Sequence, residues 1–516
     1  MVNKKKYFDL DFEKNSNSEV IKNIPNLEEL RTGLDTHSSC LCLAKFTQVT
    51  MHLGSGLVHS CHHPKTHKIP IEEVKKNPAA LFNTSHLKND RKKMLRGERP
   101  SECDYCWRVE DDGNTSDRIY KSLESWALPS YDKVTESSGD EFFKPTYLEV
   151  SFGNACNMKC SYCGPEFSSR WQEELVQQGP LKVPNGDGTD EYVQGWQDLD
   201  NITIPNREYN PYIEAFWLWF PEIYPNLKHF RITGGEPILN KNTIKALDYV
   251  KDNPRSDLEI SINSNLSVSD KVWEKFLQKI KQIENEANFK KITVFASIES
   301  WGEKAEYSRD GLEFDKFVKR FEQLLQETSV RCTIMATYNL FAITSFRSVL
   351  EWILELKKKY NYNKKLINIY KNTGYDFRKS KASETEYSFR VGIDIPYLRH
   401  PAFLDVQYCS DSLVEDYMYP CLEFMENNIS HDAFTMHLGF EPYEVEKFQR
   451  IFEHRIYFKN KHKEGDKKEL INKNRAKFYD FVEQLDKRRD TDFAKVFPEM
   501  ESYLDECFKS KIQNQG

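Results

Sequence analysis

The sequence predicts an α/β fold in which a parallel sheet is covered by helices. Two observations carry this prediction: strand-like runs alternate with helical stretches, and the helical stretches carry apolar residues at helical spacing. Six such units would make an open or partial (β/α)6 barrel. The predicted strands are Tyr147–Phe152, Leu227–Thr233, Leu258–Asn263, Ile292–Ser297 and Arg331–Ala336, with weaker candidates at Leu366–Tyr370 and Phe403–Val406. The predicted helices between and after them are Asn242–Asp252, Lys271–Glu286, Phe314–Glu327 and Phe346–Tyr360.

Composition limits the classes of protein to which the chain belongs. The 516 residues suffice for about three domains, and the net charge of −7 gives no basic excess that would indicate nucleic-acid binding. The sequence contains no run of about 20 apolar residues, so we predict no membrane-spanning helix. The basic N-terminal segment lacks the apolar stretch of a signal peptide. We therefore expect a cytoplasmic protein. In that reducing compartment its 12 cysteines are expected to be metal ligands or buried thiols.

The chain divides by composition into a series of segments. Residues 1–35 form a polar leader, and residues 36–125 form a first module rich in cysteine. Acidic and polar residues at 107–144 indicate a linker. The strand–helix body spans 145–375 with a long insertion at 166–226, and 376–516 read as a helical extension.

The first module contains two pairs of thiols. Short alternating runs flank the turn Gly54-Ser55-Gly56, which predicts a β-hairpin with Cys42 and Cys61 at its outer ends. Cys103 and Cys106 follow about forty residues later with two residues between them. Together they make a four-thiolate site plausible, for zinc or for an iron–sulfur cluster. Cys40 competes with Cys42 for this role, and a histidine beside Cys61 (His59, His62 or His63) is an alternative ligand.

A denser cysteine loop follows the first predicted strand of the body. Cys156, Cys160 and Cys163 are separated by three and then two residues. Three thiolates on one short loop can bind three irons of a cubic cluster, which leaves the fourth iron open for chemistry. A structural zinc site would need a fourth ligand, and the next four residues offer only Glu166.

The second predicted strand ends in Gly234-Gly235-Glu236-Pro237. Two glycines let the backbone approach a ligand, because no Cβ intervenes. The carboxylate of Glu236 is placed at the edge of the sheet where parallel α/β folds bind ligands, and it suits an ammonium group.

These two motifs resemble those of the radical S-adenosylmethionine enzymes. The family's cysteine loop has the same spacing and an aromatic residue before its last cysteine, here Tyr162. The family's Gly-Gly-Glu-Pro motif contacts the methionine amine of the cofactor, and Gly234, Gly235 and Glu236 match it. The resemblance covers roughly residues 40–340.

The resemblance implies further cofactor contacts on the strands that follow. Ser264-Asn265 resembles the family's Thr-Asn-Gly segment, although Leu266 stands in place of the glycine, and Ser297-Ile298-Glu299 resembles its Ser-x-Asp segment. Arg309 would then meet the cofactor carboxylate. In the family, the three thiolates hold a [4Fe–4S] cluster, and S-adenosylmethionine chelates its open iron. An electron from the cluster then cleaves S-adenosylmethionine and yields a 5′-deoxyadenosyl radical. A flavodoxin- or ferredoxin-like electron donor is implied as a partner.

The first module is similar to the SPASM/twitch auxiliary-cluster domain. Cys42, thirteen residues, Gly56, four residues and Cys61 fit its opening motif, and Cys103 with Cys106 supplies the remaining pair. The resemblance implies an auxiliary [4Fe–4S] cluster, although here the module precedes the barrel. The whole pattern looks most like twitch-domain radical SAM proteins found often in bacterial viruses, and a viral source would imply the cytoplasm of the host.

Two hypotheses follow. In the first, the chain is a radical SAM enzyme acting on a peptide or protein side chain, with a sugar or a nucleotide as the second substrate class. In the second, it is a non-catalytic scaffold with two structural zinc sites. The Gly-Gly-Glu-Pro motif and the missing fourth ligand at Cys156–Cys163 speak against the scaffold.

Overall fold

The computed structural model describes residues 27–184, 190–192, 203–286, 289–361, 389–430 and 438–515. Its strands, numbered in chain order, are β1 Gln48–His52, β2 Leu57–His59, β3 His67–Lys68, β4 Tyr147–Ser151, β5 Lys159–Cys160, β6 Lys182–Pro184, β7 Asp190–Tyr192, β8 His229–Thr233, β9 Glu259–Ser264, β10 Lys291–Ser297, β11 Arg309–Asp310, β12 Arg331–Met335 and β13 Val391–Asp394.

The helices are interspersed among these strands along the whole chain. They are α1 Leu27–His37, α2 Ala44–Thr47, α3 Ile71–Lys76, α4 Ser85–Leu95, α5 Asp104–Asp111, α6 Asp117–Leu123, α7 Tyr131–Thr135, α8 Ser169–Gln178, α9 Pro211–Ile223, α10 Lys241–Asp252, α11 Asp270–Glu286, α12 Glu303–Ser308, α13 Phe314–Glu327, α14 Phe346–Tyr360, α15 Asp411–Leu413, α16 Tyr419–Asn427, α17 Pro442–Lys461, α18 Glu464–Arg489, α19 Phe493–Val496 and α20 Glu501–Gln515. No helix within the described ranges is long and apolar enough to cross a membrane.

The chain divides into two compact units. Unit 1 contains residues 1–152 and 204–232, and unit 2 contains residues 153–203 and 233–516. The modules predicted at 36–125 and 145–375 do not follow this division, and they stay predictions of sequence organisation.

Unit 1 holds a mixed sheet. Its strands lie in the order β8-β4-β1-β2-β3. β1 pairs with β2 as the predicted hairpin, and β1 pairs in parallel with β4. The first arm of the hairpin is shorter than predicted, because Ala44–Thr47 forms a helical turn. The predicted linker at 107–144 is also wrong, since α5, α6 and α7 lie in it and bury apolar side chains such as Ile119 and Val134.

Unit 2 holds parallel strands in the order β13-β12-β10-β9. This confirms the α/β class. Helix α13 illustrates why the pattern was readable: Phe314, Phe317, Phe321 and Leu324 recur at helical spacing, and all are buried.

Two predictions beyond residue 360 need correction. The weak strand at Phe403–Val406 is wrong, because short 3₁₀ turns occupy Ala402–Leu404 and Val406–Tyr408. The segment assigned to a helical extension contributes strand β13 to the parallel sheet, beside β12. The other weak strand, at 366–370, lies outside the described residues.

Candidate functional site

The cysteine loop, residues 153–163 of unit 2, is fixed by hydrogen bonds at its carboxyl end. Strand β5 pairs antiparallel with β11, which sets Cys160 opposite Arg309. The amide and hydroxyl of Ser161 both donate to the carbonyl of Ser308, at 2.8 and 2.7 Å. The indole of Trp171 donates to the carbonyl of Cys160 at 2.8 Å. These bonds hold the segment between the second and third thiols in one conformation.

The start of helix α8 holds the other end of the same loop. The amide of Cys156 donates to the hydroxyl of Ser169 at 3.2 Å, and the hydroxyl of Ser168 donates to the carbonyl of Met158 at 2.6 Å. Ser168 is also the N-cap of α8, accepting from the amide of Trp171. Ser168 and Ser169 therefore connect the start of α8 to the cysteine loop by hydrogen bonds.

The three thiols of the loop affect one another electrostatically. Burial raises the pKa of Cys156 to about 12, and proximity to Cys160 adds to the rise. Burial also raises the pKa of Cys163, with further contributions from Cys160 and Cys156. For Cys160 burial raises the pKa while the Arg309 guanidinium lowers it. Because ligation needs thiolates, a metal charge at this loop would offset these desolvation costs.

The Gly-Gly-Glu loop, residues 234–236, packs directly against the start of the cysteine loop. The amide of Gly235 donates to the carbonyl of Gly153 at 3.2 Å, and the amide of Glu236 donates to the carbonyl of Ala155 at 2.7 Å. A Cβ on Gly235 would lie 2.5 Å from the carbonyl oxygen of Ala155, too close for any other residue. Gly234 has a φ of 124°, which also favours glycine. The two motifs, separated by some seventy residues, therefore form one backbone-bonded unit.

Glu236 is 1% exposed. Its carboxylate accepts from the amide of Asn265 at 2.6 Å and from the hydroxyl of Ser264 at 2.9 Å. Burial raises its pKa to about 7, and these neutral donors lower the pKa only in part. None of the groups that stabilise its charge, among the described residues, is a cation. An ammonium group bound beside this buried carboxylate would stabilise its ionised form.

The segment after β9 contacts the cysteine loop as well. The side-chain amide of Asn265 donates to the side chain of Asn157 at 2.9 Å, and Asn157 donates to the carbonyl of Ser267 at 3.0 Å. Leu266, at the position where the resembling family has glycine, is buried with a φ of 53°. A left-handed leucine costs about 1–2 kcal/mol, which explains why glycine suits this position.

Glu299 organises the segment after β10. Its buried carboxylate accepts from Arg309 Nε at 2.9 Å and from the hydroxyl of Tyr162 at 3.0 Å. The guanidinium of Arg309 lies 5.5 Å from the centre of the Tyr162 ring, and its Nη1 lies 3.7 Å from the sulfur of Cys160. Ser297 lies at the carboxyl end of β10, opposite Met335 of β12. The structure thus joins Tyr162 and Arg309, two predicted site residues, through a carboxylate that the sequence did not single out for this role.

A set of charged residues beneath the loop was missed by sequence reasoning. Arg489, at the end of α18, stacks on Trp171 at 4.7 Å and lies 3.2 Å from a carboxylate oxygen of Asp310. Its Nε also lies 3.6 Å from Glu174, which pairs with Lys159 at 2.7 Å. Nothing in the local sequence around Arg489 marks it, because its partners lie more than 170 residues away.

The second predicted thiol group lies in unit 1. Burial raises the pKa of Cys103 and of Cys106 to about 12, and the charge of Cys42 raises both further. Burial and then Cys42 raise the pKa of Cys61 as well. Cys42 therefore lies close enough to the other three thiols to affect each of them electrostatically.

The alternative ligands for this group have other contacts. The Cys40 thiol donates to the carbonyl of Gly97 at 3.2 Å. Among the histidines near Cys61, His63 lies 2.5 Å from a carboxylate oxygen of Asp117 and His62 lies 3.4 Å from the side chain of Gln48. His59 contacts the carbonyl of Cys61 through its own Nδ1. Each alternative ligand therefore has a polar partner of its own.

Comparisons with known proteins add little to this description. No family model and no curated protein matches the chain. Among solved structures, SuiB of Streptococcus suis, bound to the precursor peptide SuiA, aligns with a TM-score of 0.29 and 11% identity over 77% of this chain and 78% of that one. A TM-score this low supports no conclusion about fold or function, so the functional assignment depends on the residues described above.

Proposed function

We propose that this chain is a radical SAM enzyme. The observation that carries the proposal is the backbone pairing of the Gly-Gly-Glu loop with the cysteine loop, through Gly235 to Gly153 and Glu236 to Ala155. A structural zinc site has no need of a buried carboxylate that only neutral donors stabilise, or of a glycine packed against its ligand loop. A site that binds a cofactor amine beside a metal cluster needs both.

Each residue then has a distinct role toward the bound groups. Cys156, Cys160 and Cys163 would hold a [4Fe–4S] cluster, and Gly234, Gly235 and Glu236 would receive the S-adenosylmethionine amine. The remaining cofactor contacts proposed are Tyr162, Ser264, Asn265, Ser297 and Arg309. When bound, the cluster supplies one electron that cleaves S-adenosylmethionine and yields a radical able to abstract hydrogen from a substrate.

The protein's own contribution is to orient these groups and exclude water. Glu299 fixes the Arg309 guanidinium and the Tyr162 hydroxyl, so both side chains are positioned before any ligand arrives. Ser264 and the Asn265 amide fix the carboxylate of Glu236 in the same way. Preformed donors and acceptors of this kind need not reorganise on binding.

We further propose that Cys42, Cys61, Cys103 and Cys106 hold an auxiliary [4Fe–4S] cluster, as in twitch domains. The support is the neighbourhood of the four thiols and a buried cation beside them. Lys45 is 1% exposed, and although burial lowers its pKa, Cys103, Glu102 and Asp90 raise it above its ordinary value. A fixed positive charge offsets the negative charge that four thiolates bring to a cluster.

The substrate class is proposed from the SPASM/twitch resemblance alone. It is a peptide or protein side chain, with a sugar or nucleotide as the second candidate and a flavodoxin- or ferredoxin-like protein as electron donor in the cytoplasm. Cofactor cleavage should accelerate when a protein fraction of an extract from the cells in which the protein is made is added, and protease treatment of that fraction should abolish the effect. Acceleration that survives protease would favour the small-molecule substrates.

The enzyme proposal is tested by anaerobic reconstitution with iron and sulfide, followed by dithionite and S-adenosylmethionine. The parent should form 5′-deoxyadenosine, and Cys160→Ala should form none. Cys332→Ala is the matched control, because it removes a buried thiol from β12 of the same unit. Absence of 5′-deoxyadenosine, with zinc as the bound metal, would establish the scaffold alternative instead.

The auxiliary cluster is tested by the iron content of reconstituted protein. Cys106→Ala should reduce iron toward the content of one cluster while cofactor cleavage persists. Cys40→Ala should leave iron unchanged, because the Cys40 thiol bonds Gly97. Equal iron in the parent and in Cys106→Ala would remove the auxiliary cluster from the proposal.

A further inference from the structure

A separate set of metal-binding side chains lies in unit 1. His67 of β3, His86 of α4 and Glu102 of the 3₁₀ turn Ser101–Cys103 each offer one ligand atom, and these three atoms lie within 4.8 Å of one another. Neither histidine is among those considered as substitutes for a thiolate. Two imidazoles and one carboxylate form a donor set suited to a borderline divalent cation.

Thr84 sets the orientation of the His67 ring. The Nε2 of His67 lies 3.2 Å from the hydroxyl oxygen of Thr84. That oxygen also accepts from the amide of Leu87 as the N-cap of α4, which fixes its position. If Nε2 carries the proton and donates to Thr84, the lone pair of the imidazole is on Nδ1. An outer partner of this kind commonly fixes the tautomer of a ligating histidine.

The Nδ1 atom of His67 points into the group. It is buried and has no hydrogen-bond partner in the described structure, and it lies 3.9 Å from a carboxylate oxygen of Glu102. A buried imidazole nitrogen without a donor is costly, since its lone pair has lost water without gaining a replacement. A cation between these atoms would supply the missing partner.

Lys45 orients Glu102 for the same purpose. Its ammonium group bonds one carboxylate oxygen, Oε1, while Oε2 faces the Nε2 of His86 at 2.7 Å. Asp90 lies 3.4 Å from the Lys45 ammonium and 3.7 Å from the His86 Nε2. The Lys93 ammonium lies 3.6 Å from the other oxygen of Asp90, so the two carboxylates beside the site face two ammonium groups. His86 is about half exposed, which leaves a path for the ion and a position for water.

We propose that His67, His86 and Glu102 bind one borderline divalent cation such as Zn²⁺, with water completing the coordination. Such an ion would join β3, α4 and the turn that ends at Cys103. It would therefore brace the segment carrying two of the unit 1 thiols. The site stands apart from the proposed enzymatic function, because none of its ligands is a thiol.

The test measures zinc bound by cluster-reconstituted protein after equilibrium dialysis, with the zinc K-edge absorption spectrum as the readout of ligand type. We expect one zinc per chain in a shell of nitrogen and oxygen. His67→Ala and His86→Ala should each weaken binding by at least ten- to a hundredfold, the range seen even for outer-shell changes. His37→Ala removes an exposed imidazole from α1 and should have no effect. Iron content reports the thiol sites separately, so the two proposals fail independently.

Thr84 provides a second, more conservative test. Thr84→Ser keeps the hydroxyl and should retain zinc affinity, whereas Thr84→Ala should lower it about ten- to a hundredfold. Circular dichroism of each variant checks that the unit is folded. Unchanged zinc affinity in folded His67→Ala and His86→Ala, or a zinc shell containing sulfur in the parent, would overturn the proposal.

Discussion

Burial of Glu236 should make the stability of this protein fall as the pH rises toward neutrality. The structure raises the pKa of this carboxyl from 4.5 to about 7, because burial removes it from water and only neutral donors replace the water. Between these two values the folded chain holds one proton more than the unfolded chain. The contribution of Glu236 to stability is therefore greatest below pH 4.5, declines through this interval, and levels off above pH 7.

The magnitude follows from the same shift. Each pH unit in the interval changes the free energy of unfolding by about 1.4 kcal/mol, which gives about 3 kcal/mol in all. Replacement of Glu236 by Gln removes this dependence. The Ser264 hydroxyl can reverse and accept from the new amide group, while the amide oxygen keeps the Asn265 bond. Any constant cost of the substitution does not vary with pH.

The assay is denaturant unfolding of the parent and of Glu236→Gln from pH 4 to pH 8. The difference between the two free energies should move by about 3 kcal/mol in favour of the variant as the pH rises. Glu355→Gln, which removes an exposed carboxylate from α14, is the matched control and should track the parent. Curves for the parent and Glu236→Gln that stay parallel across this range would refute the reasoning.

Three further substitutions test how the loops are held. Gly235→Ala should destabilise unit 2 by about 1–3 kcal/mol in thermal unfolding, because its Cβ would lie 2.5 Å from a carbonyl oxygen. The control is Gly465→Ala, which lies in α18 with open space around it and should not destabilise the protein. Equal losses of stability in the two variants would contradict the close approach at Gly235. Arg309→Lys keeps the charge but loses the paired donors to Glu299, so the iron content retained by the cysteine loop after reconstitution should fall. An unchanged iron content would contradict a positioning role for Arg309. Arg489→Met removes one of the cations that Glu174 and Asp310 share, while Lys159 stays 2.7 and 3.2 Å from them, and should cost about 1–3 kcal/mol in denaturant unfolding. An unchanged free energy of unfolding would contradict a stabilising role of Arg489.

The sequence alone determined the α/β class and the positions of the two thiol groups. Apolar spacing in α13 and α14 and the short run of β4 are local signals, so their bounds were predicted to within a residue or two. The spacing of Cys156, Cys160 and Cys163 needs no tertiary information, because three ligands on one short loop are neighbours in any fold. The hairpin between β1 and β2 is likewise a local pairing.

Tertiary structure alone decided which distant residues serve these loops. Glu299 joins Arg309 to Tyr162, and Arg489 reaches Trp171 from the far end of the chain. Strand β13 has only four residues, so its apolar run was too short to identify, and its place depends on pairing with β12. His67 and His86 look like ordinary surface histidines in the sequence, since what marks them is a shared point between three separate elements. Local pattern fixes which residues can ligate, but long-range packing fixes what surrounds them, because burial, charge and hydrogen-bond partners come from chain segments far apart in sequence.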